Sequence, residues 1–252
     1  MPGVCLVVPC YNEAGRLPVS HLESYLREHP EGRVCFVDDG SRDRTRDVLE
    51  QIQSRLPAQT TVLGDGVNRG KAGAVRLGML HALSETDAAL LGYWDADLAT
   101  PLPELDLLVA ACTHAPERIA AIGSRVKRLG TRIVRRPIRH VLGRLFATCA
   151  SLVLDLPVYD TQCGAKLFHR DAAAIGFREP FLSNWLFDVE VLARLRNHYG
   201  TAAAAQQIIE VPLGTWADIE GSNLRAGAFI RAPLDLWRIA RAYNGAAARS
   251  KT

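Results

Sequence analysis

No stretch of this 252-residue chain is apolar for long enough to cross a bilayer. A spanning helix needs roughly 18–20 residues, and the longest nearly apolar run, Leu145 to Leu154, is interrupted by Thr148 and Ser151. Metal-binding cysteine pairs are also missing. The six cysteines, Cys5, Cys10, Cys35, Cys112, Cys149 and Cys163, form no CxxC pair and have no histidine cluster beside them, which argues against zinc. Scattered single cysteines in apolar surroundings suit reduced thiols in a cytosolic protein. No basic n-region precedes the first apolar run, so no signal peptide is expected. A strong charge bias is lacking too. The net charge is +3, from 30 basic and 27 acidic side chains, which is too weak to imply nucleic acid as a partner. The expected location is the cytoplasm. A local excess of Lys, Arg and His between Lys127 and Arg144 leaves contact with an inner membrane surface open.

What is present reads as one folded domain. An apolar share of 48% and a charged share of 23% are those of a globular chain, and the length suits a single core. The first half alternates strand and helix patterns. Val4–Val8, Val34–Val37, Thr60–Leu63, Asp87–Trp94 and Ile119–Gly123 are short apolar runs of the kind buried on both faces of a sheet. Glu13–Arg27, Arg44–Leu56, Gly70–Leu83 and Pro103–Cys112 carry helical spacing between them. The second half is less regular, with helices predicted over Ile138–Leu154, Phe187–Tyr199 and Arg225–Ala242, and strands within Asp160–Phe168 and over Gln207–Val211. The alternation predicts an α/β fold with a mostly parallel sheet flanked by helices. A nucleotide-binding half over about 1–125 and an acceptor-binding half over about 126–252 are expected.

Ligands of open α/β sheets bind at the carboxyl ends of the strands, so the residues that follow each strand matter most. They are Pro9-Cys-Tyr-Asn-Glu13, Asp38-Asp-Gly-Ser41, Asn68-Arg-Gly-Lys71, Asp95-Ala-Asp97 and Gly123-Ser-Arg125. Carboxylates repel one another, and a fold with no ligand at this edge has no reason to gather them. A lone D-x-D is most often a solvated turn. Here a buried strand delivers Asp95 and Asp97 beside other polar strand ends. Two hard oxygen ligands suit Mg²⁺ or Mn²⁺ bound jointly with phosphates. Asp38-Asp-Gly-Ser41 suits a turn and helix start with Ser41 or Asp43 as the N-cap, yet capping does not explain two successive carboxylates where the strand ends. Asp39 can accept from a base or ribose. Lys71 at a helix start can attract phosphate, although Ala72 and Asp65 rule out a Walker motif.

These ordered motifs resemble the family 2 glycosyltransferases of GT-A fold, in particular the dolichyl- or polyprenyl-phosphate glucosyl- and mannosyltransferases. The resemblance rests on VVPCYNE (7–13), VDDGSRDRT (37–45), NRGKAGAVRLG (68–78), DADLATP (95–101), GSR (123–125), DTQCGAKLF (160–168), WLFDVEVLA (185–193) and W-x-D-x-x-GS (216–222). It implies that Pro9, Tyr11, Glu13, Asp38 and Asp39 line the nucleotide. It implies that Asp95, Ala96 and Asp97 meet the metal and diphosphate, and that Arg125, Arg136 and Arg139 hold the acceptor phosphate. Ala99 stands where mannosyl relatives place a metal-binding Gln. The implied donor is a UDP- or GDP-hexose, with a UDP-glucose-like donor favoured, and the implied acceptor is a polyprenyl phosphate. That phosphomonoester is mostly a dianion at neutral pH and needs placement more than deprotonation. A hydroxyl acceptor would need a general base instead, for which Asp188 is the candidate with Asp160 behind it.

Arg132–Phe146 and Arg225–Arg241 are basic and amphipathic, fitting either a lipid surface or ordinary inward packing. Two readings stay open beside lipid transfer. One is the same donor chemistry with a soluble small-molecule acceptor, and the other is a nucleotide-sugar-binding protein without turnover.

Overall fold

β-Branched and aliphatic residues alternate along β1 (Val4–Cys10), and the alternation sorts them to two sides. Val4, Leu6 and Val8 join one buried cluster, whereas Cys5 and Val7 join another. A strand apolar on both faces belongs in the middle of a sheet covered by helices on both sides. The computed structural model places it there and describes residues 3–134, 137–217 and 226–247. Following β1 in chain order are α1 (Val19–Glu28), β2 (Arg33–Asp38), α2 (Thr45–Arg55), β3 (Thr60–Leu63), α3 (Gly70–Glu85), β4 (Leu90–Trp94), α4 (Glu104–Thr113) and β5 (Ala120–Ser124). Then come β6 (Arg132–Val134), α5 (Pro137–Leu154), β7 (Ala165–His169), α6 (Arg170–Phe177), α7 (Phe187–Tyr199), α8 (Thr201–Gln207), β8 (Ile208–Pro212), β9 (Thr215–Ala217) and α9 (Ala226–Ala247).

The main sheet has seven strands in the order β3-β2-β1-β4-β7-β5-β8. Every pairing is parallel except those of β7, which runs antiparallel between β4 and β5. A separate parallel pair joins β6 to β9. Helices α1, α2 and α4 cover one face through Leu22, Leu26, Leu49, Ile52, Leu105 and Leu108. The other face is covered by α3, α6 and α7 through Val75, Met79, Ala173, Phe177, Phe187 and Val191. Each such aliphatic side chain, fully buried, contributes about 1.5–3 kcal/mol. The small face predicted for α3 has a steric reason. A Cβ on Gly78 would lie 2.4 Å from Val7 Cγ1, so only glycine lets the helix approach β1 this closely.

The main differences from the predicted elements lie in the connections. α1 begins at Val19, not at Glu13, because Glu13–Leu17 forms a turn in which the Arg16 and Leu17 amides donate to the Glu13 carbonyl. Pro18 then precedes the first helical residue. α6, α8 and the β6–β9 pair are too short for a periodic pattern to stand out in the sequence.

Candidate active site

The order in which the strands are added reverses between β1 and β4, since β2 and β3 lie on one side and later strands on the other. Polar loops gather at the carboxyl ends of β1, β2 and β4. The loops after β1 and β2 are laced together. Glu13 N–H donates to Thr45 Oγ1 at 2.7 Å, Asn12 N–H to Ser41 Oγ at 3.0 Å, and Arg42 N–H to Asn12 Oδ1 at 2.8 Å. This lacing puts Pro9, Tyr11 and Glu13 beside Asp38 and Asp39. Two of the carboxylates there hold backbone. Asp38 Oδ1 accepts from Ser41 N–H at 3.1 Å, and Asp39 Oδ1 accepts from Arg69 N–H at 2.6 Å, where α3 begins. Burial pushes the Asp39 carboxyl above the usual range, against the pull of the Arg69 and Gly70 amides.

Asp95 leaves β4 still in the ladder, with its N–H donating to the carbonyl of Gly164 at 3.0 Å. A Cβ on Gly164 would lie 1.8 Å from Asp95 Oδ2. The backbone just before β7 is therefore a wall against which the carboxylate rests, and any side chain there would displace it. The chain then turns sharply. Ala96 is buried, Leu98 N–H donates to the Asp95 carbonyl at 3.1 Å, and Leu98 takes a positive φ of 48°. Asp97 Oδ1 accepts from Ala99 N–H at 3.0 Å. The Ala99 side chain is packed in the core, and its carbonyl accepts from Ala217 N–H at 3.1 Å, tying β9 to the loop.

Lys71 reaches this loop from α3 and donates to Asp95 Oδ1 at 2.6 Å. Burial works against its charge, but the carboxylates of Asp95, Asp188 and Asp97 outweigh it and hold the ammonium above the ordinary lysine range. Arg16, which the motifs did not single out, forks onto Glu13 at 2.6 and 3.1 Å. Even so, the acids outnumber the nearby cations. Burial and the Asp95 carboxylate push Asp97 above its ordinary value. Burial does the same to Glu13, with Asp97 adding to it. Hard oxygen donors in an excess of negative charge are what Mg²⁺ or Mn²⁺ takes, so Asp95 and Asp97 fit a divalent cation. The described residues contain no group of three or more His, Cys, Asp or Glu side chains set to hold a metal. Two carboxylates leave coordination positions for phosphate oxygens.

The two remaining acids predicted for the site sit in buried ion pairs. Asp188, 4% exposed at the start of α7, accepts at Oδ1 from Lys166 Nζ at 2.5 Å and from the Tyr93 hydroxyl. Burial, followed by the Asp188 carboxylate, pushes the Tyr93 phenol well above its ordinary value, so it stays a donor. Arg125 forks onto Asp160 with both contacts at 2.7 Å, and its guanidinium lies 5.2 Å from the centroid of the Trp216 ring. Burial opposes the Arg125 charge, but Asp160 outweighs it and fixes that charge. Glu210 on β8 in turn accepts from the Tyr159 and Asp160 amides at 2.7 and 2.8 Å. Arg125 is thus built into a buried frame with Asp160 and Glu210. Arg136 lies outside the described residues, as does the side chain of Arg139.

Thus Glu13, Lys71, Asp95, Asp97 and Asp188 share one electrostatic neighbourhood. Tyr93, Gly164 and Lys166 lie in segments that the sequence singles out, but it assigns them no role. Lys166 gives little signal there, because a lysine within an apolar strand usually marks an exposed position.

The family model for glycosyl transferase family 2 matches residues 5–176. A dolichyl-phosphate beta-glucosyltransferase of Trichomonas vaginalis is 32% identical over 246 residues, covering 93% of this chain and 69% of the relative. The dolichyl-phosphate beta-glucosyltransferase of Mus musculus is 36% identical over 233 residues, covering 87% and 68%. Among solved structures, glucosyl-3-phosphoglycerate synthase of Mycobacterium tuberculosis, in complex with Mn²⁺, UDP-glucose and phosphoglyceric acid, superposes with a TM-score of 0.68 at 17% identity. That match covers 95% of this chain and 80% of the other. At this identity the likeness speaks for the fold, which is of GT-A type.

Proposed function

The chain belongs to glycosyl transferase family 2 and is a glycosyltransferase, and on that premise we propose that it moves a hexose from a nucleotide sugar to a polyprenyl phosphate with inversion at the anomeric carbon. The observation that carries the donor side is the negative pair Asp95 and Asp97, held against Gly164 and faced by Lys71. These two carboxylates would hold Mg²⁺ or Mn²⁺. When bound, the cation would neutralise charge on the departing diphosphate. Lys71 adds a second positive charge where the diphosphate would lie. Pro9, Tyr11, Glu13 and Asp39 would face the nucleoside. A UDP-glucose-like donor is favoured because the named relatives are glucosyltransferases and a fold neighbour is complexed with UDP-glucose.

Two features support a phosphate acceptor. The first concerns the base. Asp188, the candidate for a hydroxyl acceptor, is buried and already accepts from Lys166 and Tyr93. A phosphate dianion needs no base and reacts once it is placed in line. The second is a surface suited to lipid. Leu145 and Leu152 on α5 and Leu234 and Trp237 on α9 are exposed, with Arg231, Arg238 and Arg241 exposed among the latter pair. Aromatic and aliphatic side chains interleaved with arginines suit an anionic bilayer. Among the described residues no helix is long and apolar enough to cross a membrane. On this reading the protein works at the cytoplasmic side of a membrane surface, with about 1–125 serving the donor and about 126–252 the acceptor.

The test is to incubate purified protein and Mn²⁺ or Mg²⁺ with a panel of nucleotide sugars, with and without short polyprenyl phosphates, and to follow free nucleotide and glycolipid. Nucleotide release that depends on the lipid phosphate is expected. Turnover with soluble sugars or phosphates alone would overturn the acceptor, and full activity after chelation would overturn the metal.

A further inference from the structure

Lys166 sits on β7 with 0% of its surface exposed, a place where lysine needs compensating partners. It has two. Its ammonium donates to Asp188 Oδ1 at 2.5 Å and to the carbonyl of Cys163 at 2.6 Å. Neutralising Asp188 accounts for the first bond only. The second grips the backbone next to Gly164. Gly164 in turn receives the Asp95 N–H at 3.0 Å and offers no Cβ to the Asp95 carboxylate. From Lys166 to Asp95 the path is therefore one ammonium, one peptide and one ladder hydrogen bond.

We propose that Lys166 is a positioning residue for the cation site: by binding the Cys163 carbonyl to Asp188, it fixes the Gly164 backbone against which Asp95 rests, and so sets the geometry that Asp95 and Asp97 offer to a divalent ion. Lys71 holds the same carboxylate from the opposite element, α3, through Asp95 Oδ1. Asp95 is thus held by Lys71 at its carboxylate and, through the Gly164 backbone, by the buried Lys166 of β7. The buried lysine touches no ligand itself. Its effect travels through backbone, as partners behind metal ligands commonly act. The proposal rests on the reading of Asp95 and Asp97 as cation ligands given above.

The experiment measures Mn²⁺ binding in the presence of UDP, by the electron paramagnetic resonance signal of free Mn²⁺, with no turnover involved. Lys166→Met leaves Asp188 as a buried unpaired charge and endangers the fold, so Lys166→Met/Asp188→Asn, which removes both charges, is compared with Asp188→Asn. Thermal melts report folding of each variant. Mn²⁺ affinity about tenfold weaker in the double variant than in Asp188→Asn is expected. Tyr93→Phe removes a contact to Asp188 but leaves the bond from Lys166 to Cys163, and it retains the wild-type affinity. A double variant that binds Mn²⁺ within about twofold of Asp188→Asn overturns the proposal. An equal loss in Tyr93→Phe overturns it as well, since the effect would then be general loosening. Failure of the wild-type protein to bind Mn²⁺ with UDP would instead remove the cation site on which the proposal stands.

Discussion

At Asp97, burial and the Asp95 carboxylate both oppose ionisation, so the metal-free protein carries a penalty that a bound cation would relieve. Asp97→Asn keeps an oxygen for the Ala99 amide and removes the charge. We expect the metal-free variant to melt about 2 °C higher than wild type. Its metal-dependent turnover should fall about 100-fold. Scanning calorimetry and a nucleotide-release assay test the two halves separately. The sign of the pH effect follows. A carboxyl whose folded pKa is raised destabilises the fold above that pKa and ceases to do so once protonated. The melting advantage of Asp97→Asn over wild type therefore shrinks as pH falls through the raised pKa toward the ordinary aspartate value. An advantage that is constant or grows on acidification would contradict the electrostatic cause.

Two elements approach the site through glycine. α3 packs on β1 across Gly78, and the segment before β7 packs on Asp95 across Gly164. Gly78→Ala forces an overpacked core, and a loss of about 1–3 kcal/mol is expected by urea unfolding. Gly164→Ala acts on the carboxylate instead. It should lower kcat about 100-fold, the scale of lost support behind a metal ligand, and a variant with wild-type kcat would disprove the wall. The sequence made the strands up to Ser124 and their polar ends legible, because runs such as Val4–Val8 are short, apolar and followed by charge. It also showed Lys71, Asp95 and Asp97 as a set, since each follows a strand or opens a helix. It did not show that β7 lies antiparallel between β4 and β5, since its register is set by pairs far apart in the chain, such as Leu90 with His169, Tyr93 with Lys166 and Ala120 with Phe168. With β7 unplaced, Lys166 and Gly164 had no neighbours to give them meaning. Arg125 and Asp160 looked like separate site residues because the bond between them spans 35 positions.

At the scale of the whole molecule, the exposed arginines of α9 bear on the proposed lipid acceptor. If the acceptor is lipid-borne, the protein should sediment with vesicles containing anionic phospholipid and be released by high salt. Trp237→Glu replaces an exposed anchor on α9 and should lower the vesicle-bound fraction about fivefold while leaving soluble-protein melting unchanged. Binding equal to wild type would remove this helix from the lipid surface. The antiparallel β7 has a further consequence, in the order of assembly. β1 to β4 are complete once Trp94 has been synthesised, yet the outer edge of β4 stays unpaired until residues 165–169 arrive. Late pairing between distant segments is slow, so a nascent chain can finish the loops after β1 and β2 well before Asp95 meets Gly164. On the proposed reading the cation site would thus be completed only when β7 arrives, and an incomplete chain would lack the wall that holds Asp95.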